Sequence, residues 1–309
     1  MTTEVNHTNS GAGKFVRTSL LDVCYLDTGP PTGNKSGGFP LILIHGWPDD
    51  ALTWNRVTPA LVEAGYRVIA PYLRGCGPTR FLDAATPRSG QLVALGQDLV
   101  EFAAALKLER YAVIGHDWGA RAAYIASALD ASRITHCVAL SVGYGTNSPA
   151  QTLSTQQLQN YWYHWLMATP RGEKVVREDR RNFTRHVWDI WMPFWKPADE
   201  EFAATAQSFD NIDWAEIVLH SYTVRWGNAP QHPMYAALDA RFDPAPQLSV
   251  PTLTMHGTQD PVNSPASSAG KESFFTSRYE RKLIDQCGHF PQREQAERVA
   301  SEIIAWVRT

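Results

Sequence analysis

Gly115-His116-Asp117-Trp118-Gly119 follows the apolar run Tyr111-Ala112-Val113-Ile114 and leads straight into Ala120-Arg121-Ala122-Ala123-Tyr124-Ile125. An apolar strand, a turn bracketed by glycines and a helix-forming run in direct succession predict a sharp strand-to-helix corner. The residue at the tip of such a corner sits in strained backbone, with its side chain pushed out over the end of a sheet. Here the tip is Asp117. A carboxylate that attacks an acyl carbon gives a reactive anhydride, a poor route to hydrolysis. One that attacks an sp³ carbon gives an ordinary alkyl ester, which water can open at the aspartate's own carbonyl. Asp117 therefore predicts displacement at an alkyl carbon bearing a leaving group, followed by ester hydrolysis.

Outward from this corner, the chain alternates strand and helix. Phe15 to Asp27 reads as one bent strand or a hairpin, and the Gly/Pro/Lys/Ser-rich stretch from Gly29 to Gly38 as a loop. Leu41-Ile42-Leu43-Ile44 is a continuous apolar run, as expected of a parallel strand covered on both faces, and it ends in His45-Gly46-Trp47-Pro48. Further strands are expected at Tyr66–Ala70 and His136–Leu140, with an amphipathic helix over Gln91–Leu108. The alternation stops from about Gly145 to His232. Seven of the chain's eleven tryptophans lie there (Trp162, Trp165, Trp188, Trp191, Trp195, Trp214, Trp226) among helix-like stretches. It returns at Val250–Gly257 and Tyr279–Ile284, and Glu297–Val307 reads as a closing helix with Val299, Ile303 and Trp306 on one face. The simplest account is a loose N-terminal tail (1–14), an α/β core in two parts (15–144 and 233–309) and a helical cap between them (145–232).

The totals restrict the function classes. A chain of 309 residues with 44% hydrophobic and 19% charged residues suits one large core with an inserted cap. A net charge of −3 without long basic or acidic runs gives no reason to expect nucleic acid or a membrane surface as partner. The start has no apolar signal region, and Cys24, Cys76, Cys137 and Cys287 form no C-x-x-C pair, so a cytoplasmic protein with reduced thiols is expected. No H-E-x-x-H or close His/Asp cluster suggests a metal.

An alkyl-aspartate ester needs a base to activate water, and a histidine oriented by an acid is the common solution. Two strand ends after the cap offer them: Gly257-Thr258-Gln259-Asp260-Pro261 and Gln286-Cys287-Gly288-His289-Phe290. Taken alone, Asp260 reads as a turn residue and His289 as structural. In the order Asp117, Asp260, His289, at three strand ends of an open parallel sheet, they read as nucleophile, acid and base.

Together with Arg74-Gly75-Cys76-Gly77, these stretches resemble the α/β-hydrolase branch of epoxide hydrolases and haloalkane dehalogenases, over nearly the whole chain from Phe15. The resemblance implies an α/β-hydrolase fold: a mostly parallel sheet flanked by helices, with an inserted helical cap. It implies an oxyanion hole from the backbone N–H groups of Trp47 and Trp118, no cofactor, and an apolar small molecule and water as partners of a monomer or homodimer. The chain departs from the branch pattern at Tyr72, where an aspartate usually precedes the Arg-Gly-x-Gly turn, and at Cys76, where an aromatic is usual. Epoxide hydrolases of this branch use two cap tyrosines to protonate the leaving oxygen. Asn160-Tyr161-Trp162-Tyr163-His164-Trp165 and Ser221-Tyr222-Thr223 resemble their motifs, with Tyr161 the better match, Tyr163 its close rival, and Tyr222 the second donor. His116, beside the nucleophile, and Trp165 are expected to line the pocket. The runner-up is dehalogenation. Haloalkane dehalogenases often carry Asn where this chain has Trp47. Fluoroacetate-type enzymes share Arg121 and the His164-Trp165 pair, but Trp118 stands where their first carboxylate-binding arginine would be.

Overall fold

The computed structural model describes residues 13–30, 38–146 and 151–309; most of the expected tail and of the Gly29–Gly38 loop lies outside them. The strands are β1 (Lys14–Arg17), β2 (Leu21–Asp27), β3 (Phe39–Ile44), β4 (Tyr66–Pro71), β5 (Arg80–Phe81), β6 (Tyr111–His116), β7 (Ile134–Leu140), β8 (Thr252–Gly257) and β9 (Tyr279–Ile284). They form one sheet in the order β1-β2-β4-β3-β6-β7-β8-β9, with β5 beside β2. From β4 through β9 every pairing is parallel, and the β1/β2 hairpin adds an antiparallel edge.

The apolar runs form central strands because alternate residues feed two separate cores. Ile42, Ile44, Val113 and Ala139 point to one face, where α2 (Leu92–Ala105) and α3 (Trp118–Leu129) cover them. Leu41, Leu43, Ile114, Leu140 and Met255 point to the other, against Leu61 of α1 (Thr58–Glu63) and against Val299, Ile303 and Trp306 at the far end of the chain. Each large apolar side chain buried this way contributes about 1.5–3 kcal/mol.

Between β7 and β8 the described residues form helices and loops: α4 (Thr155–Asn160), α5 (Trp162–Met167), α6 (Pro170–Glu178), α7 (Arg180–Trp191), α8 (Asp199–Ala206), α9 (Trp214–Val224) and α10 (Ala236–Arg241). This insertion runs past residue 232 to Arg241, since Ala236-Ala237-Leu238 supports another helical turn. The chain closes with α11 (Pro291–Glu294) and α12 (Ala296–Val307).

The insertion is seated over the carboxyl ends of the strands by specific bonds. Trp188 Nε1 donates to the Pro48 carbonyl (2.7 Å), Ser208 Oγ bonds Asp50 Oδ2 (2.6 Å), and His289 N donates to the Trp191 carbonyl (2.9 Å). The buried Arg293 guanidinium reaches Asp49 in the loop after β3 and Glu201 on α8, each at 2.6 Å. Stranding one partner of such a buried pair costs about 3–5 kcal/mol, so it fixes where the insertion sits.

Candidate active site

The chain turns from β6 into α3 at a single residue. Asp117 has φ 51° and ψ −112°, a backbone that a side-chain-bearing residue adopts only under strain. The bracketing glycines make the corner possible. A Cβ on Gly115 would meet the Gly119 carbonyl oxygen at 2.1 Å, and one on Gly119 would meet that of Ile44 at 2.2 Å. The corner therefore sits against the end of β3, and the Trp47 N–H donates to Asp117 Oδ1 at 2.9 Å. The first amide of α3, that of Trp118, follows directly after Asp117 at the positive end of the helix.

The loop after β8 holds Asp260 by its own amides: Oδ1 accepts from Val262 N (2.7 Å) and Asn263 N (3.1 Å). Oδ2 accepts from His289 Nδ1 at 2.9 Å, which turns His289 Nε2 toward Asp117 Oδ2, 3.7 Å away. That separation is an ion-pair distance, too long for a hydrogen bond. Both carboxylates and the imidazole are buried. Burial pushes the Asp117 carboxyl up, but the facing His289, then His116 and the Trp47 N–H, hold it below the usual carboxylate range. Burial likewise pushes Asp260 up, and His289 and His256 reverse it. Burial lowers His289, and Asp260 with Asp117 outweighs this and raises it to about 9.

Two neighbours of this triad escaped the sequence reading. His256 Nε2 lies 3.1 Å from Asp260 Oδ2, so two histidines flank one carboxylate oxygen; the four-residue spacing at a strand end was the available signal. Ser141, with φ 64°, donates from Oγ to the His289 carbonyl at 2.8 Å. His116, expected in the pocket, instead donates from Nε2 to that same carbonyl at 2.7 Å and is fully buried. It supports the His289 loop from its buried side.

Above Asp117 the insertion supplies a layer of aromatic rings. Tyr163 stacks on Trp47 (centroids 5.6 Å apart, planes 11°), and Tyr222 stands edge-on to both, at 5.2 Å from Trp47 and 5.3 Å from Tyr163. Trp118 Nε1 donates to the Tyr222 hydroxyl at 3.1 Å. Burial, then the Asp117 charge, pushes the Tyr222 phenol well above its ordinary value; for Tyr163 burial, the neighbouring Tyr222 and Asp117 do the same. Tyr161 is placed otherwise. Its hydroxyl donates to Asn263 Oδ1 at 2.7 Å, and Asn263 Nδ2 in turn donates to the Ser141 carbonyl at 2.8 Å. Trp165 also turns away, donating from Nε1 to the Leu158 carbonyl at 2.8 Å and packing on Trp226. The place expected for Trp165 is taken by its neighbour His164, whose ring lies 4.3 Å from Tyr163 and 4.6 Å from Tyr222. Trp226 Nε1 donates to His164 Nδ1 at 2.9 Å, so the proton of the neutral ring sits on the unpartnered Nε2.

A parallel sheet, an aspartate at a strained strand-to-helix corner and an acid–histidine pair from two later strand ends define a class, and residues 40–296 match the model of the alpha/beta hydrolase fold family. The chain belongs to that family. Among its relatives, a solved protein of Klebsiella pneumoniae, named provisionally as an epoxide hydrolase, is 36% identical with a TM-score of 0.90, covering 97% of this chain and 98% of its own. Epoxide hydrolase A of Mycobacterium tuberculosis is 26% identical over 95% of this chain and 96% of its own length. Haloalkane dehalogenase of Mycobacterium marinum is 24% identical over 94% and 90%. Among the described residues no helix is long and apolar enough to cross a membrane.

Proposed function

We propose that the protein is an epoxide hydrolase that forms an alkyl ester on Asp117, within a helical cap (the insertion between β7 and β8). The observation that carries this reading is the stack above the nucleophile. Asp117 Oδ1 is held by the Trp47 N–H, and Tyr222, already accepting from Trp118, keeps its own proton to give away. Asp117 Oδ2 attacks an epoxide carbon, the C–O bond breaks, and the oxygen takes a proton from a phenol. His289 then removes a proton from water, which adds to the Asp117 carbonyl. The Trp47 and Trp118 N–H groups stabilise the resulting oxyanion, its collapse releases the diol with a proton returned by His289, and the proton of the new Asp117 carboxyl passes back to the phenolate, restoring both the phenol and the carboxylate.

The first phenol in this reading is Tyr163 and not Tyr161, because the Tyr161 hydroxyl is engaged by Asn263 while Tyr163 lies against Trp47 and Tyr222. Tyr222→Phe and Tyr163→Phe are each expected to slow epoxide opening by about 10²–10³-fold, the size of a lost general acid. Tyr161→Phe is expected to change it several-fold at most. Pre-steady-state rates of ester formation check this, and equal loss in all three would assign the tyrosines to packing.

A dehalogenase reading has one observation in its favour. The unpartnered His164 Nε2–H is a ready donor for a departing halide. Diol release from styrene oxide, measured beside halide release from haloalkanes and fluoroacetate, separates the two. Halide release without diol formation would sink the epoxide assignment.

A further inference from the structure

Asp260 serves two histidines through one oxygen. Oδ2 accepts from His289 Nδ1 at 2.9 Å and lies 3.1 Å from His256 Nε2, while Oδ1 is taken by the Val262 and Asn263 amides. The chemistry above uses His289 and leaves His256 idle. His256 is a fully buried residue of β8, four positions before the acid it meets.

Its surroundings fix its tautomer. Nε2 faces two acceptors, Asp260 Oδ2 and the Asn263 carbonyl (2.9 Å), so it carries a hydrogen. Nδ1 lies 3.0 Å from Ser268 Oγ. Arg281, half-buried on β9, donates from Nε to that oxygen (2.9 Å) and from Nη2 to the Pro265 carbonyl (2.7 Å). The Pro265 carbonyl, the serine's other acceptor, is thereby satisfied, and the single Ser268 hydrogen is left for His256 Nδ1.

The second donor acts on the base through the acid. An N–H that stabilises the Asp260 anion reduces the negative potential at His289, and so loosens the hold of the pair on the His289 proton. His289 and then His256 hold Asp260 below the usual carboxylate range against its burial. The other ionisable groups that face the pair are Asp117 and His116 from the corner and Glu294 from α11, and none of them bonds Asp260. We propose that His256 is a positioning residue for ester hydrolysis: its Nε2–H shares Asp260 Oδ2 with His289, fixes that oxygen, and eases the loss of the His289 proton once Asp117 is alkylated. This rests on the Asp117–His289 reading of the site.

Ring-nitrogen NMR of the intact protein, with labelled histidine, reads the sharing without turnover. The wild-type His256 ring is expected to carry a hydrogen on Nε2, and a bare Nε2 overturns the proposal whether or not any variant folds. His256→Leu removes the donor at similar volume. The His289 titration midpoint should then rise by about one pH unit, a tenfold stronger hold on the proton. His256→Gln keeps an N–H of similar reach and should hold the midpoint within about 0.3 unit of wild type. An unchanged or lowered midpoint in the Leu variant, or equal shifts in both variants, overturns the proposal. Mass-resolved single turnover of styrene oxide judges the reaction separately. In His256→Leu the Asp117 ester should form at the wild-type rate, and the acidic limb of its decay should move up by about one pH unit. If the wild type forms no ester, the reaction assignment fails, and the titration still decides the sharing. If the ester decays with the same pH dependence in both proteins, the positioning role fails and the reaction stands.

Discussion

Asp117→Ala is expected to abolish turnover, by at least about 10⁴-fold, while leaving the protein folded. Losses of this order follow removal of a covalent nucleophile, because no neighbour inherits the bond-forming step. Here the nearest alternatives, Asp49 and Asp260, are already engaged, Asp49 by Arg293 and Asp260 by two amides and two histidines. The substitution also removes a buried carboxylate while keeping a side chain at φ 51°, so neither the gain nor the strain dominates, and thermal unfolding should shift little. Residual activity within tenfold of wild type would place the nucleophile elsewhere.

His289→Gln is expected to separate the two halves of the reaction. Ester formation continues and hydrolysis stops, so the protein gains the mass of one substrate and releases no diol. The electrostatics explain why the histidine serves only the second half. In the resting site its pKa is raised to about 9 by Asp260 and Asp117, so at neutral pH it is an imidazolium facing the nucleophile. Alkylation removes the charge on Asp117. The pKa then falls, and the imidazole becomes a base at the step that needs one. The same charge pattern stabilises the fold in a defined range. A histidine whose pKa is raised on folding contributes below its unfolded value near 6.5, and this contribution is lost as pH rises through about 9. A variant that accumulates no ester yet is inactive would contradict the division of labour.

The corner and the triad were legible in sequence because each is local. The glycines on either side of Asp117 are required by contacts under 2.5 Å, and Asp260 and His289 fall in the loops that follow β8 and β9, the last two strands of the chain. The insertion was harder to read. Tyr161 stands at the junction of α4 and α5, Tyr163 is the second residue of α5, and a shift of two residues there reverses which hydroxyl meets Asn263 and which ring meets Trp47. Trp165 and His164 exchanged places for the same reason: adjacent residues on a helix point about 100° apart, and motif likeness does not resolve that angle. His116 was assigned to the pocket from its place beside the nucleophile, but on a strand successive side chains face opposite ways, and it points beneath the His289 loop.

The central claim is that an oxygen of Asp117 is transferred to the product and replaced from water. A single turnover in heavy-oxygen water, followed by proteolysis and mass analysis of the peptide carrying Asp117, measures this directly. The expected result is one heavy oxygen in the Asp117 carboxylate and an unlabelled diol from the first turnover. A heavy oxygen in that diol, with Asp117 unlabelled, would show that water attacks the substrate directly and would contradict the covalent route.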